Sequence, residues 1–225
     1  QDDEQRLLKF NGNSICEKNR SKALEKAADL NYELALIDDG LQDKKIKYDL
    51  SIVCFDGLVG IGNGLILPSG PLRESLNNLK YYDAVVINNG ARNNDLIKLI
   101  KKTNENINLF FGEYIISSER KYDLNKNYFA FCGIGNPNSF LKTLNSNKFN
   151  ISEFISFPDH YNFSKEEITN IKKTAEKKNL SIITTEKDYL RLNGVDKSGI
   201  EYLKINLKIQ NENEFFIYIN SCLWK

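Results

Sequence analysis

Short apolar runs of β type alternate with helical patterns along this chain, and this alternation is what most constrains its fold. The β-type runs cover residues 34–37, 51–55, 83–88, 108–111, 128–132 and 181–185. The helical patterns between them cover residues 20–30, 95–102, 137–144 and 165–178. Strands that alternate with helices form a mostly parallel sheet, because each helix returns the chain to the same edge. The sequence therefore predicts an α/β protein.

Two helix starts are well defined by their capping residues. Asn136 stands directly before Pro137, and proline is favoured at the first helical position, where its missing N–H costs nothing. Ser164 is followed three residues later by Glu167, which is the pattern of a capping box. Helices are therefore expected to begin at residues 137 and 165.

The segment 57–71 carries five glycines and two prolines, too many for the interior of a helix or strand. We use it to divide the chain. Residues 1–56 are expected to belong to one α/β unit and residues 57–205 to a second. Residues 206–225 form a C-terminal segment whose amphipathic part, 212–224, is expected to be a helix that packs back on the fold.

Composition excludes several classes of protein. The 225 residues carry 31 basic and 30 acidic side chains, whereas a dedicated nucleic-acid binder is normally clearly basic. No run approaches the ~20 apolar residues needed to cross a bilayer, so any membrane contact is expected to be peripheral. The four cysteines are far apart and suggest neither zinc nor disulfides, which favours a reducing cytoplasm. The chain starts at Gln1 and has no Met, so we expect a piece of something longer.

Two adjacent acids follow the first β-type run, and they are the main candidates for metal binding. Asp38 and Asp39 come directly after residues 34–37 and before Gly40, and Gln42 is close enough to reach the same ligand. Acids at a strand end hold Mg²⁺ in nucleotide kinases and hydrolases. The alternative is a cap or an Asx turn. The phosphate loop that normally accompanies such acids, Gly-x-x-x-x-Gly-Lys-Ser/Thr, does not occur in the 225 residues.

The single histidine, His160, is the main candidate for proton chemistry. It lies in a loop after β-type residues and before the capped helix, where catalytic side chains often lie. An imidazole there can act as a base, or as the partner that tunes a carboxylate base. The alternative is a loop histidine that hydrogen-bonds its own turn.

Other candidates are ambiguous taken alone. Asp3 and Glu4 near the chain start are of a kind that is most often solvated. Arg73 either clamps a phosphate or pairs with Glu74 or a neighbour. The glycine-rich loop 60–64 either offers N–H groups to an anion or is only a turn.

Taken together, these motifs resemble the tetraacyldisaccharide 4'-kinase family, which phosphorylates the lipid A precursor of Gram-negative bacteria. They appear in the order and approximate spacing of that family over nearly the whole chain, and the glycine-proline stretch that ends in Leu-Arg-Glu is the most specific of them. The motifs are Asp38-Asp39-Gly40-Leu41-Gln42, residues 62–74, Gly133-Ile134-Gly135-Asn136-Pro137, Phe157-Pro158-Asp159-His160 and Thr185-Glu186-Lys187-Asp188.

The resemblance implies a fold of two Rossmann-like α/β/α domains of P-loop kinase type, with the first one incomplete in this chain. It implies ATP and Mg²⁺ as cofactors and the lipid A disaccharide precursor as the acceptor. It also implies peripheral contact with the cytoplasmic face of the inner membrane. Neither a nucleic acid nor an obligate protein partner is expected.

The resemblance also assigns roles to residues. Asp3 and His160 match the acid and the histidine that activate the 4'-hydroxyl. Glu4, Asp38, Asp39 and Gln42 would lie around the metal and the phosphates, while Arg73 and Glu74 would line the cleft between the domains.

The family's phosphate loop and membrane-contacting helix lie upstream of the part that this chain matches. Phosphoryl transfer depends on the backbone, the lysine and the hydroxyl of that loop. We therefore expect the 225 residues alone to lack kinase activity. The alternative is a non-catalytic α/β binding or interaction module derived from the kinase.

Overall fold

The computed structural model describes residues 2–88 and 93–224. Its strands are β1 (Ile52–Asp56), β2 (Ala84–Asn88), β3 (Asn108–Ile116), β4 (Asn127–Cys132), β5 (Asn150–Ser156), β6 (Ser181–Thr185), β7 (Ile200–Leu203) and β8 (Ile205–Ile209). Its helices are α1 (Asp2–Asn11), α2 (Arg20–Asp29), α3 (Asn94–Thr103), α4 (Pro137–Ser146), α5 (Lys165–Lys177), α6 (Glu186–Arg191) and α7 (Glu212–Leu223), with a 3₁₀ helix at Leu76–Tyr81. The predicted α/β class is confirmed.

The chain forms two compact units, each built from two separate stretches of sequence. Unit 1 comprises Gln1–Ala35 and Ile116–Lys204, and unit 2 comprises Leu36–Ile115 and Ile205–Lys225. Each unit has its own four-stranded sheet.

The sheet of unit 1 has the strand order β5-β4-β6-β7, with all neighbours parallel. The central strand β4 is buried on both faces from Tyr128 to Cys132, as expected for a parallel strand covered by helices. Helix α5 covers one face through Ile168 and Ile171. Helix α4 covers the other through Phe140 and Leu144.

The sheet of unit 2 has the strand order β1-β2-β3-β8, and its first three strands run parallel. The central strand β2 is buried from Ala84 to Ile87. One face packs on Leu96 and Ile100 of α3, and the other on Phe215 and Tyr218 of α7. Unit 2 therefore also has helices on both faces of its sheet.

Three local predictions are confirmed. Helix α4 starts at Pro137, and the Asn136 side chain accepts a hydrogen bond from the Ser139 amide. Helix α5 has the complete capping box between Ser164 and Glu167. The predicted C-terminal helix is α7, which packs on the sheet of unit 2.

The strand predicted at residues 34–37 is wrong. These residues have no regular secondary structure, and Leu36 is 90% exposed. An apolar run becomes a strand only when another strand pairs with its backbone, and none in the described part of the chain does so. Residues 34–37 instead form an irregular segment that leads into the turn of Asp38 and Asp39.

The structure also divides the chain differently from the boundaries expected at residues 56 and 205. Strand β1 pairs with β2 over Ile52–Asp56, so the sheet continues across the glycine-proline segment. Strand β8 lies beside β3 in the same sheet. Residues 57–71 are therefore a loop within unit 2, because glycine and proline mark any irregular backbone and not only a linker.

None of the helices within residues 2–88 and 93–224 has both the length and the apolar character needed to span a bilayer.

Candidate functional site

In unit 1 the loops that follow three neighbouring strands meet at the carboxyl edge of the sheet. Gly133 directly follows β4, and its amide donates a hydrogen bond to Asp188, which follows β6. A Cβ at Gly133 would lie 3.0 Å from Cβ of Tyr161 and 3.2 Å from the Pro158 carbonyl, both in the loop after β5. Only glycine lets the two loops approach so closely. The carboxyl edge of a parallel sheet is where α/β proteins bind ligands.

Asp188 and Arg191 form a buried ion pair at this edge. Their side chains are 0% and 3% exposed, and Nη1 of Arg191 lies 3.0 Å from Oδ1 of Asp188. Oδ2 of Asp188 also accepts hydrogen bonds from the Gly133 amide (2.9 Å) and the Thr185 hydroxyl (2.7 Å). Burial raises the pKa of Asp188 above its ordinary value, while the hydrogen bonds of Thr185 and Gly133 and the charge of Arg191 oppose that rise. The pair ties β4 to α6.

His160 lies against this pair. Its Nδ1 is 3.2 Å from Nη2 of Arg191, and its Nε2 is 3.9 Å from Oδ2 of Asp159. The residue has a φ of 58°, a left-handed conformation uncommon for a residue with a side chain, and its amide bonds the Asp159 carboxylate. The imidazole remains 58% exposed. His160 is thus held on one side by a buried cation and is open to solvent on another.

Asp3 and Glu4 lie in α1, which packs against α6 within unit 1. The side chains of these two residues are outside the described part of the structure. Helix α6 is the element that carries Arg191, the partner of His160. The helix of Asp3 and the loop of His160 therefore belong to one unit, although the boundary expected at residue 56 separates them.

In unit 2 the two adjacent acids lie in a turn. Asp39 has a φ of 53°. The Tyr48 hydroxyl donates a 2.5 Å hydrogen bond to the carbonyl of buried Gly40, which fixes the turn. Burial, with a smaller contribution from the Asp38 charge, raises the pKa of the Cys54 thiol, so Asp38 acts electrostatically on a residue of β1.

Arg73 pairs with Asp39 at 2.5 Å, and both side chains are exposed, by 59% and 53%. The sequence left open whether Arg73 pairs with Glu74 or a neighbour. The structure brings it instead to one of the two candidate metal ligands.

The loop that leads to Arg73 is held by its own side chains and backbone. Asn63 donates from Nδ2 to the Ser69 carbonyl at 2.7 Å and accepts from the Leu65 amide at 3.1 Å. A Cβ at Gly70 would collide with the Asn63 side chain and the Leu65 carbonyl, so the loop requires glycine there. The amides of Gly60, Gly62 and Gly64 all donate to carbonyls of residues 56–61. The structure therefore shows turns in this loop and does not support an anion site at residues 60–64.

Glu74 is surrounded by donors. It accepts from Nδ2 of Asn78 at 2.6 Å and from the Tyr82 hydroxyl at 2.9 Å, and Lys44 lies 3.9 Å away. Partial burial acts to raise the pKa of Glu74, but the bonds from Asn78 and Tyr82, the Lys44 charge and a bond from Gln42 together hold it below its ordinary value. Gln42 and Glu74, two predicted site residues, are therefore neighbours in unit 2.

The metal prediction concerns Asp38, Asp39, Gln42 and Glu4. In the described part of the chain no group of three or more Asp, Glu, His or Cys side chains could hold a metal ion. Carboxylate and amide oxygens are the ligands that Mg²⁺ prefers, and in kinases one or two carboxylates bind it together with phosphates and water. The turn of Asp38 and Asp39 fits that smaller donor set.

A family model for LpxK, tetraacyldisaccharide-1-P 4'-kinase, matches residues 2–223 of the chain. This chain belongs to the tetraacyldisaccharide 4'-kinase family. A tetraacyldisaccharide 4'-kinase from Pelagibacter ubique (strain HTCC1062) is 48% identical over 213 residues, which cover 94% of this chain and 68% of the relative. One from Rickettsia bellii (strain OSU 85-389) is 36% identical over 212 residues, covering 94% and 64%. The chain thus spans about two-thirds of the length of these 4'-kinases.

A solved structure supports the fold. It is the crystal structure of the "apo" form of LpxK from Aquifex aeolicus in complex with ATP, with a TM-score of 0.64 and 24% identity. The match covers 91% of this chain and 62% of the Aquifex 4'-kinase.

Sequence reasoning missed the contact of Arg191 with His160 in this member of the 4'-kinase family. An arginine at the end of a short helical stretch is indistinguishable from a solvated charge in the sequence. The available signal was Thr185, three residues before Asp188, which predicts a capped turn after β6. A cap at Thr185 predicts the start of the helix that carries Asp188, but it does not indicate that Arg191 contacts His160.

Proposed function

We propose that this chain carries the part of a tetraacyldisaccharide 4'-kinase that binds and activates the acceptor. The reaction transfers the γ-phosphoryl group of ATP to the 4'-hydroxyl of the tetraacyldisaccharide 1-phosphate lipid A precursor. The observation that carries the proposal is the family match over residues 2–223, which includes a histidine held at the carboxyl edge of a parallel sheet. The remaining requirement, a phosphate loop, is not found in the 225 residues.

The acceptor side is assigned to unit 1. In this proposal the Asp3 carboxylate accepts the proton of the 4'-hydroxyl as the phosphorus is attacked, and His160 is its partner. The support is that α1 packs on α6, the helix whose Arg191 contacts His160. A general base of this kind contributes about 10²–10⁴-fold to a rate.

The nucleotide side is assigned to Asp38, Asp39, Gln42, Arg73 and Glu74, all of unit 2. Arg73 can exchange the Asp39 carboxylate for a phosphate, because an exposed ion pair is worth little and breaks readily. Glu74, bonded to Asn78 and Tyr82, anchors the loop that presents Arg73. Mg²⁺ held by Asp38, Asp39 and Gln42 would neutralise phosphate charge.

The proposal also covers the activity of the isolated chain and the place where the protein works. The 225 residues alone do not transfer phosphate, because they contain no lysine-bearing phosphate loop. The acceptor is an acylated lipid, so the protein works at the cytoplasmic face of the inner membrane through peripheral contact.

A chimera tests the proposed function. Residues 2–223 replace the matching part of the Pelagibacter ubique relative, which supplies the rest of the kinase. Transfer of labelled phosphate from ATP to the tetraacyldisaccharide 1-phosphate is measured for the chimera, for the isolated chain and for the parent enzyme. We expect activity in the chimera and none in the isolated chain.

His160→Asn in the chimera should lower kcat by about 10²-fold or more, in line with the contribution of acid–base groups. Asp196→Asn, at an exposed ion pair with Lys172, is the matched control and should leave kcat unchanged. A folded chimera without transfer, beside an active parent, would overturn the proposed function.

A further inference from the structure

Arg191 makes contacts in two directions at once. Its Nη1 donates to the Gly133 carbonyl at 2.6 Å and to Oδ1 of Asp188 at 3.0 Å. Its Nη2 lies 3.2 Å from Nδ1 of His160. The residue is 5% exposed, so these contacts are shielded from water on the side of the sheet.

The chemistry of the guanidinium determines which group donates and which accepts in the contact between Arg191 and His160. Arginine stays protonated at all ordinary pH values and has only donors, so it cannot accept a hydrogen bond. Nδ1 of His160 must then be the acceptor and carries no proton. In a neutral imidazole the single proton is therefore on Nε2.

We propose that Arg191 is a positioning residue that fixes His160 in the Nε2–H tautomer. The tautomer itself does not depend on the proposed function. Only the catalytic use of that tautomer by His160 rests on it. The sequence left two roles open for His160, a base or the partner of a carboxylate base. With Nδ1 engaged and Nε2 protonated, the imidazole presents a donor and acts as the partner of a carboxylate.

The residues around Arg191 hold its guanidinium in one orientation, so that it can fix the tautomer of His160. Asp188, which receives Nη1, is itself fixed by Thr185 and by the Gly133 amide. The planar guanidinium can direct Nη1 and Nη2 to different partners, whereas the single nitrogen of a lysine cannot reach both with that geometry. The tautomer of His160 is thus determined by a network that spans the loops after β4, β5 and β6.

NMR of the intact 225-residue chain tests the proposal, because His160 is its only histidine and needs no assignment. The ring nitrogens are labelled with ¹⁵N, and their chemical shifts distinguish a protonated ring nitrogen from an unprotonated one. In the wild-type chain we expect an unprotonated Nδ1, a protonated Nε2 and a scalar coupling across the bond from Arg191 Nη2–H to Nδ1. A protonated Nδ1 in the wild-type chain overturns the proposal without any variant.

Two variants give the comparison. Arg191→Lys keeps a positive charge for Asp188 but should abolish the coupling and increase the Nδ1–H population severalfold. Asp159→Asn removes the carboxylate near Nε2 and should leave Nδ1 unprotonated. If Asp159→Asn changes the tautomer and Arg191→Lys does not, Asp159 is the determinant and the proposal is wrong. Arg120→Lys, at an arginine that stacks on Tyr202, is the control for arginine replacement and should change neither signal.

These readouts need no phosphoryl transfer, so the two hypotheses can fail separately. A chimera that keeps full activity with His160→Asn contradicts the proposed use of His160 but leaves the tautomer result intact. A wild-type chain with Nδ1–H contradicts the role of Arg191 even if the chimera is active.

Discussion

The two candidate regions each contain an aspartate–arginine pair, and the pairs differ in their exposure to water. In unit 1 the side chains of Asp188 and Arg191 are 0% and 3% exposed. In unit 2 those of Asp39 and Arg73 are 53% and 59% exposed. A buried pair is costly to break, because the charge that is left behind loses both its partner and water. An exposed pair is solvated whether or not it forms, and it contributes little.

In the proposed function, the buried pair is part of the scaffold and the exposed pair contributes a binding group. The buried pair holds three loops of unit 1 in a fixed relation and supports His160. The exposed pair in unit 2 can open for a ligand that carries negative charge. Both pairs join the same two residue types, and only their exposure to water distinguishes them.

The largest expected effect is the loss of the buried pair. Asp188→Ala removes the acceptor of Arg191, Thr185 and Gly133 and leaves a buried guanidinium without its carboxylate. We expect the free energy of unfolding to fall by about 3–5 kcal/mol. Urea denaturation followed by circular dichroism measures it. Asp196→Ala, which breaks the exposed pair with Lys172, is the control; equal losses in both variants would remove the distinction between buried and exposed pairs.

The next effect concerns the loop that leads to Arg73. The conformation of this loop depends on close backbone packing and not on charge. Gly70→Ala places a methyl group against the Asn63 side chain and the Leu65 carbonyl. We expect a loss of about 1–3 kcal/mol in the free energy of unfolding, the usual cost of overpacking. Gly12→Ala is the control, since nothing lies within 4 Å of its added methyl. If the two variants unfold alike, the loop adapts more freely than the structure indicates.

A smaller effect concerns Glu74, whose charged form receives the hydrogen bonds of Asn78 and Tyr82. Because the folded pKa of Glu74 is lowered, its contribution to stability is present above the ordinary glutamate value of ~4.3 and is lost as the pH falls through the folded pKa. Glu74→Gln should therefore cost about 1 kcal/mol near neutral pH and much less in acid. Unfolding of both proteins across this pH range measures the difference; a cost that does not change with pH would contradict it.

The smallest effect on stability is expected at Arg73. Arg73→Gln breaks the exposed pair with Asp39 and should change the free energy of unfolding by no more than about 0.5 kcal/mol. In the chimera the same change should weaken ATP binding by roughly tenfold, because one charge-assisted bond to phosphate is lost. Lys45→Gln, at another exposed cation of unit 2, is the control. A large loss of stability with unchanged ATP affinity would make Arg73 a structural residue.

Local patterns predicted the elements whose signal lies in neighbouring residues. The runs that became β1, β2 and β4 are strongly apolar, the run that became β6 is rich in β-branched residues, and the caps at Asn136 and Ser164 mark the starts of their helices. Leu34–Ile37 failed because its apolar residues give no information about a pairing strand. The exposed strand β8 was missed although Ile205–Ile209 alternates apolar and polar residues, because five residues are too short for this pattern to stand out.

Candidate site residues could be chosen from the sequence where one residue carries the signal, whereas contacts between distant residues could not be predicted. His160 stands out as the only histidine, and Asp38 and Asp39 stand out as adjacent acids before a glycine. The contact between Arg191 and His160 joins residues 31 positions apart, and the one between Arg73 and Asp39 joins residues 34 apart. Such contacts are set by which strand ends are neighbours, and this information is absent from any single stretch of sequence.

Residues 205–225 belong to unit 2 but follow most of unit 1 in the sequence, and this order affects how unit 2 folds during synthesis. Strand β8 and helix α7 join a sheet whose other strands precede most of unit 1 in the sequence. On the ribosome, the apolar face that Phe215 and Tyr218 later cover stays open until the last of these residues has emerged. Neither unit can be excised as one continuous fragment, so a minimal version of either would need its two stretches to be rejoined by a new linker.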